Sequence, residues 1–204
     1  MDIVLYIHGK GGSAEEAEQY KSLFPSCNVR GLEYKSFTPW EAGDEIREAI
    51  IKLTANDDKI TLIANSIGAY FSMHADIETY VAQAYFISPI VDMEKLIADM
   101  MGRAAVSESA LQKKGTIHTD FGEVLSWEYL CYVREHPVRW NVPTDILYGS
   151  GDNLTSMDTI TAFAQKHHAS LTVLENGGHW FHTKEQMRFL EGWMREKRLL
   201  GRRA

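Results

Sequence analysis

The 204 residues are enough for one well-buried domain and few for two. Hydrophobic residues make up 45% of the chain and charged residues 24%, which is an ordinary mixture for a soluble globular protein. The formal net charge of −7 argues against nucleic acid or an anionic membrane surface as the main partner.

The two cysteines, Cys27 and Cys131, are far apart in the sequence and have no metal-ligand spacing. This predicts free thiols in a reducing compartment and no metal site. The first residues include no basic leader, and no apolar stretch approaches the ~20 residues that span a bilayer. We therefore expect a cytoplasmic protein without a signal peptide or a membrane span.

Short apolar and β-branched runs recur along the chain, and amphipathic helical patterns separate them. Strands that alternate with helices predict βαβ units and one parallel sheet with helices on both faces. The predicted strands cover residues 3–7, 27–32, 60–63, 84–88, 144–148 and 170–174.

Three predicted helices begin with the pattern of a capping box, in which Ser or Thr is followed three residues later by an acidic residue. Pro39, at the first position of one of these helices, strengthens that start. The three pairs are Ser13 with Glu16, Thr38 with Glu41, and Thr155 with Asp158.

The interval at about 90–143 does not fit the alternation, because a plain crossover needs only about a dozen residues. Residues 93–101 have the pattern of an amphipathic helix, and a loop with Gly and Ser follows. Val124, Trp127, Cys131 and Arg134 then predict another helix. One interpretation of this interval is a long connection packed on the flank of the domain.

Ser66 occupies a special turn between a predicted strand and a predicted helix. Ala64 and Gly68 lie two positions before and after it. A strand that reverses into a helix within two or three residues accommodates only small residues at those places. Such a turn holds its apex residue in a strained conformation with an exposed hydroxyl. Ser66 is therefore the predicted nucleophile, and a capping serine in a polar turn is the alternative.

Asp152 and His179 each follow a later predicted strand directly. The carboxyl ends of parallel strands meet at one edge of a sheet, so we expect both side chains near Ser66. A serine hydroxyl needs a base, and the base needs an orienting carboxylate. His179 is the predicted base and Asp152 the predicted orienting acid.

Each of these two roles has an alternative nearby in the sequence. Asp158 lies further into the next helix and is the other candidate acid. His182, three positions after His179, is the other candidate base. The two histidines are also candidates for a metal site, but the local sequence offers no third ligand.

The turn at Ser66 resembles the nucleophile elbow of the α/β-hydrolases, G-x-S-x-G, with Ala64 in place of the first Gly. The order Ser66, Asp152, His179 is also the order in that family. The resemblance covers nearly the whole chain outside the interval at 90–143. It implies a three-layer α/β sandwich with a six-stranded parallel sheet, which lacks the family's first two strands. It also implies one domain, 1–204, with a small helical cap at about 90–143.

The loop from His8 to Gly12 resembles the His-Gly-rich oxyanion loop of the same family. The resemblance implies that the backbone N–H groups of Lys10 and Ile67 form the oxyanion hole. A phosphate-binding glycine loop is the alternative, but the spacing of the glycines does not match one.

The resemblance implies a serine hydrolase that cleaves carboxylic esters or thioesters of a small to medium substrate, without a cofactor. Trp127 in the predicted cap, with Trp180 and Phe181 after the predicted base, indicates an apolar substrate pocket, although the same residues also suit an ordinary core. The expected partner is a small-molecule ester, with no nucleic acid or membrane. The alternatives are amide hydrolysis, cofactor-free perhydrolysis, and a non-catalytic binding protein on the same fold.

Overall fold

The computed structural model describes residues 2–54 and 59–201, so the two ends of the predicted domain 1–204 and residues 55–58 lie outside the described part. The strands are β1 (Ile3–Ile7), β2 (Asn28–Leu32), β3 (Ile60–Asn65), β4 (Val81–Ile87), β5 (Thr116–His118), β6 (Val124–Ser126), β7 (Thr144–Gly149) and β8 (Ser170–Leu174). The helices are α1 (Pro39–Leu53), α2 (Ile67–Met73), α3 (Met93–Arg103), α4 (Glu108–Lys114), α5 (Trp127–Glu135), α6 (Met157–Lys166) and α7 (Lys184–Gly201). Two 3₁₀ helices cover Ala14–Leu23 and Glu78–Tyr80.

One parallel sheet organises the larger part of the chain. It contains six strands in the order β2-β1-β3-β4-β7-β8, and every neighbouring pair is parallel. The central strands are almost wholly buried because helices cover both faces of the sheet. The predicted α/β class and six-stranded parallel sheet are therefore confirmed.

The hydrophobic core on one face of the sheet uses alternate residues of the strands. Val4 and Tyr6 of β1 point into it together with Ile63 of β3. The 3₁₀ helix Ala14–Leu23 and α7 supply the opposing side chains, among them Tyr20 and Trp193. Their burial removes large aromatic surfaces from water and so stabilises this layer of the fold.

The connection from β3 to α2 consists of Ser66 alone. Its backbone angles, φ of 53° and ψ of −123°, lie outside the regions that residues with a side chain usually adopt. A Cβ atom at Gly68 would lie 2.4 Å from the carbonyl oxygen of His8. The first turn of α2 therefore packs directly on the backbone that leaves β1, which only glycine permits.

Two of the predicted capping boxes are replaced by other hydrogen bonds. Ser13 makes no side-chain bond to the helix that follows it, and Glu16 instead accepts a hydrogen bond from the Tyr6 hydroxyl. The Thr38 hydroxyl donates to the Glu41 carboxylate at 2.8 Å and makes no cap bond to the backbone. Both predictions were wrong: neither Ser13 nor Thr38 caps its helix, and each glutamate accepts a hydrogen bond from a hydroxyl, of Tyr6 or of Thr38.

The predicted capping box at Thr155 was also wrong. Helix α6 begins one residue later, and the Ser156 side chain accepts a hydrogen bond from the N–H of Thr159. Thr155 is buried, and its hydroxyl donates to the carbonyl of Pro89 at 3.2 Å. Thr155, which the local pattern assigned to the cap, thus makes a tertiary hydrogen bond instead.

Residues 92–138 form a compact unit of their own. The unit contains α3, α4, the antiparallel pair β5 and β6, and α5. The pair and α4 were not predicted. Val124 lies in β6 and not in a helix, so that part of the prediction was wrong. That this unit acts as a cap stays a prediction.

Arg134 of α5 links the helices of this second unit. Its Nη1 and Nη2 atoms donate to the two carboxylate oxygens of Glu108 at 3.0 and 2.6 Å, and its Nε donates to Glu94 at 2.7 Å. A guanidinium that bridges two carboxylates with this geometry orients α3 and α4 against α5.

No helix within residues 2–54 and 59–201 combines the length and the apolar character that a bilayer span requires.

We expect Gly68→Ala to destabilise the protein, because the new methyl group would meet backbone atoms that cannot rotate away. Overpacking of this kind typically costs about 1–3 kcal/mol. Gly192→Ala in α7 is the matched control, because nothing lies within 4 Å of its added Cβ. That control should be neutral or stabilising by up to about 1 kcal/mol. Thermal unfolding of both variants tests the prediction, and equal melting temperatures would contradict it.

Candidate active site

Ser66 sits at the carboxyl end of β3, where several backbone hydrogen bonds hold it. Its N–H donates to the carbonyl of Ile87 at 3.0 Å, and its own carbonyl accepts from the N–H groups of Ala69 and Ile90 at 3.2 and 3.1 Å. These bonds tie the turn to the end of β4 and to the start of α2. The unusual backbone angles of Ser66 are therefore imposed by its surroundings, and its side chain has a defined direction.

The side chains of Ser66, His179 and Asp152 form a continuous line of hydrogen bonds. The Ser66 Oγ atom lies 2.8 Å from His179 Nε2, and His179 Nδ1 lies 2.7 Å from Asp152 Oδ2. An ionised carboxylate only accepts, so Nδ1 carries the proton and Nε2 is left to accept from the serine hydroxyl. This is the arrangement in which an imidazole can remove the serine proton.

The Asp152 carboxylate is fully shielded from solvent and has partners on both oxygens. Its side chain is 0% exposed, whereas that of His179 is 15% exposed. Oδ1 accepts the N–H groups of Leu154 and Thr155 at 2.7 and 3.1 Å, which leaves Oδ2 for His179. Burial, and secondarily the Asp152 carboxylate, raise the pKa of Tyr148, whose hydroxyl donates to the carbonyl of Thr155.

The loops that carry Asp152 and His179 touch through their backbones. The N–H of Gly151 donates to the carbonyl of Gly177 at 2.8 Å. A Cβ atom at Gly149 would lie 2.3 Å from the same carbonyl oxygen. Glycine at position 149 thus lets the loop after β7 approach the loop after β8, and this brings the acid to the histidine.

The two alternative residues lie outside this line of hydrogen bonds. Asp158 is exposed in the first turn of α6. His182 is exposed, and its Nδ1 atom lies 2.8 Å from the carbonyl of Trp180, with the two rings stacked at 4.1 Å. The structure therefore places Asp152 and His179 together with Ser66, and it does not place Asp158 or His182 there.

The loop after β1 lies against Ser66. A Cβ atom at Gly9 would be 3.0 Å from the Cβ of Ser66, and the N–H of Gly12 closes a turn onto the Gly9 carbonyl at 3.1 Å. His8 is buried beneath this loop, with its Nδ1 atom 2.8 Å from the Gly9 carbonyl. Its ring stacks on that of Tyr34, whose hydroxyl donates to the His8 carbonyl.

Lys10 and Ile67 are the two residues of the predicted oxyanion hole. Lys10 belongs to the loop after β1 and lines the cavity beside Ser66. Ile67 is the first residue of α2, where a backbone N–H has no acceptor within its own helix. Their role as oxyanion donors stays a prediction.

A cavity of about 330 Å³ opens beside Ser66. Most of the described residues that line it are glycines or carry polar side chains. Trp180 is the one large apolar residue among these lining residues. The lining residues are Gly9, Lys10, Gly11, Gly12, Glu16, Asn65, Ser66, His179 and Trp180.

The three predicted pocket residues lie in different environments. Trp180 lines the cavity and is 68% exposed. Phe181 is buried in the hydrophobic core with Leu190 and Met194, as in the alternative that the sequence left open. Trp127 is the first residue of α5, in the unit of residues 92–138.

Residues 3–190 match the model of a family described as Uncharacterised protein family (UPF0227). The chain belongs to this family. No curated protein matches it.

Solved structures of α/β-hydrolases resemble this UPF0227 protein over nearly its whole length. Est1E from Butyrivibrio proteoclasticus superimposes with a TM-score of 0.76 at 13% identity, over 100% of this chain and 89% of its own. A putative hydrolase from Agrobacterium vitis S4 has a TM-score of 0.72 at 14% identity, over 96% and 87% of the two chains. The mouse α/β hydrolase domain-containing protein 10 has a TM-score of 0.69 at 14% identity, over 99% and 90%. The resemblance to the α/β-hydrolases that the motifs indicated is therefore confirmed at the level of the fold.

Two lining residues of this UPF0227 protein were missed by the sequence interpretation. Asn65 directly precedes Ser66, so its place in the wall follows from the turn itself. Glu16 was assigned to a capping box, and only the packing of its helix against β1 directs it to the cavity. Among the described residues, no three His, Cys, Asp or Glu side chains are grouped so that they could hold a metal ion.

The bond between His179 Nδ1 and Asp152 should be visible by proton NMR in water, as a resonance downfield of the amide and indole signals. His179→Ala should remove the signal and so assign it. Asp152→Asn should shift or remove it, because a neutral amide is a weaker acceptor than a carboxylate. Asp158→Asn, in the exposed first turn of α6, should leave it unchanged. A signal that Asp152→Asn does not affect would contradict the geometry.

Proposed function

We propose that this UPF0227 protein is a serine hydrolase that cleaves a carboxylic ester or thioester through an acyl-enzyme. The observation that carries the proposal is the line of hydrogen bonds from Ser66 through His179 to Asp152, with distances of 2.8 and 2.7 Å. The base is within hydrogen-bond reach of both the nucleophile and the orienting acid, as nucleophilic catalysis requires.

In the proposed reaction, Ser66 attacks the carbonyl carbon while His179 Nε2 takes the hydroxyl proton. His179 then gives this proton to the departing alcohol or thiol, and the acyl group remains on Ser66. Water repeats the sequence with His179 as base and releases the acid. Asp152 keeps the imidazole in the reactive tautomer and stabilises the positive charge that it acquires.

The negative oxygen of each tetrahedral intermediate needs hydrogen-bond donors that are in place beforehand. The N–H of Ile67, at the start of α2, and the N–H of Lys10, in the loop against Ser66, are the proposed donors. The contact between Gly9 and Ser66 supports this assignment, because it holds the loop close to the attacking atom.

Two features favour an enzyme over a binding protein on the same fold. Ser66 has a φ of 53° and a ψ of −123° at the one-residue turn from β3 to α2, a strained position typical of an exposed nucleophile. The cavity beside it contains the base and has a volume of about 330 Å³, at the lower end of the range for small-molecule sites. This size supports a small to medium substrate, and it argues against a long lipid chain.

The names of structural neighbours support ester or thioester chemistry. They include Est1E, an esterase from Thermogutta terrifontis, and a thioesterase domain from the curacin biosynthetic pathway. Amide hydrolysis and cofactor-free perhydrolysis would use the same three side chains, and the choice of substrates in an assay separates them.

Ser66→Ala should abolish both labelling by a fluorophosphonate probe and hydrolysis of 4-nitrophenyl esters. The loss in turnover should approach about a millionfold if the three side chains act as a unit. Ser22→Ala, at an exposed serine of the 3₁₀ helix Ala14–Leu23, is the matched control and should keep both activities. Labelling that persists in Ser66→Ala would refute the assignment of Ser66 as the nucleophile.

Paired variants test the acid and the base. Asp152→Asn should lower turnover by about 10⁴-fold because the imidazole is then held in the wrong tautomer, whereas Asp158→Asn should have little effect. His179→Ala should abolish turnover, and His182→Ala should retain most of it. Steady-state kinetics on purified variants measure these losses. Equal losses within either pair would refute the assignment.

A further inference from the structure

The cavity beside Ser66 contains a carboxylate that the proposed reaction does not use. Glu16 belongs to the 3₁₀ helix Ala14–Leu23, and its side chain forms part of the same wall as Ser66 and His179. Among the described lining residues it is the one carboxylate. Ser13, the N-cap residue of this helix, makes no side-chain cap bond, so the predicted capping box does not form there.

One oxygen of Glu16 is held by a buried tyrosine. The Tyr6 hydroxyl donates to Glu16 Oε2, and Tyr6 itself is 0% exposed within β1. Burial above all, then the neighbouring Tyr20 and the hydrogen bond with Glu16, raise the pKa of Tyr6, so its hydroxyl keeps its proton and acts as a donor. The carboxylate is therefore held in one orientation, which a flexible surface glutamate would not have.

The other oxygen of Glu16 lies against the glycine loop. A Cβ atom at Gly12 would be only 2.7 Å from Glu16 Oε1. Gly12 lines the cavity as well, so Oε1 occupies space that a side chain at position 12 would fill. A carboxylate oxygen accepts more than one hydrogen bond, and it is a stronger acceptor than a neutral group.

Lys10 also lines the cavity, with a charge of the opposite sign on a flexible four-carbon stem. Because the wall contains one positive and one negative side chain, the charge of Glu16 by itself does not decide which substrate charge the cavity prefers. A well-oriented acceptor selects instead for a hydrogen-bond donor, because a substrate without one removes water from Oε1 and gives that oxygen no donor in exchange.

We propose that Glu16 is a specificity-determining residue, which accepts a hydrogen bond from a hydroxyl group of the substrate. This inference rests on the proposed function, since it concerns the ester that Ser66 would attack. A hydrogen bond to a charged group should favour the donor-bearing ester by about tenfold or more in kcat/KM over an isosteric alkyl ester.

The proposal is tested with matched pairs of esters. In each pair, one ester has a terminal hydroxyl group where the other has a methyl group. One pair is 4-nitrophenyl 3-hydroxypropanoate with butanoate, and a longer pair is 4-nitrophenyl 6-hydroxyhexanoate with heptanoate. A third pair, 2-hydroxyethyl acetate with propyl acetate, places the hydroxyl in the alcohol portion. The measured quantity is the ratio of the two kcat/KM values within each pair. A variant that loses activity equally on both esters leaves this ratio unchanged.

The wild-type protein should prefer the hydroxyl compound in at least one pair. Glu16→Gln should remove that preference, because the amide oxygen remains for Tyr6 while an N–H group replaces the acceptor Oε1. Glu15→Gln, at an exposed glutamate one position earlier, is the matched control and should keep the preference. Tyr6→Phe keeps the Glu16 carboxylate but removes the hydrogen bond that orients it, so the preference for the hydroxyl compound should fall without vanishing. This variant tests the proposal if Glu16→Gln does not fold.

The outcomes separate this inference from the proposed function. If the wild-type protein is not labelled at Ser66 by a fluorophosphonate, the proposed function fails. If Ser66 is labelled but no pair shows a preference for the hydroxyl compound, the role of Glu16 is refuted. An equal preference in Glu16→Gln and Glu15→Gln would refute it as well.

Discussion

The reversal of the chain between β3 and α2 is the constraint on which the site depends. A single residue, Ser66, connects the two elements, and Gly68 brings the first turn of α2 against the carbonyl of His8. That contact joins the turn to the end of β1, where the glycine loop begins. The position of Ser66, the start of α2 and the loop against Ser66 are thus consequences of one close backbone approach.

The parallel sheet supplies the remaining parts of the site because all its strands end at the same edge. The loops after β7 and β8 bring the acid and the histidine to that edge, and Gly149 lets their backbones touch. The Asp152 side chain is shielded from solvent with both oxygens bonded, which orients it toward His179. Rigid backbone contacts therefore set the distances between side chains that come from opposite ends of the sequence.

The cavity beside these groups is more polar than the aromatic content of the sequence suggested. Phe181 is part of the core, and Trp180 is the one large apolar residue among the described lining residues. Glu16 and Asn65 take part in the wall instead. Polar groups fixed by buried partners discriminate between substrates through the groups that they leave unpaired, whereas an apolar wall discriminates mainly by size.

The sequence by itself determined the class of fold, the turn at Ser66, and the placement of Ser66, Asp152 and His179 directly after three strands. These depend on local periodicity and on small residues at set positions. Only the tertiary structure decided how individual polar side chains are used. Glu16 bonds to Tyr6 and not to its own helix, and Thr155 is buried while Ser156 caps α6. The physical reason is that a local pattern offers each side chain one backbone partner, whereas folding adds partners from distant parts of the chain, such as the Tyr6 hydroxyl for Glu16 and the Pro89 carbonyl for Thr155.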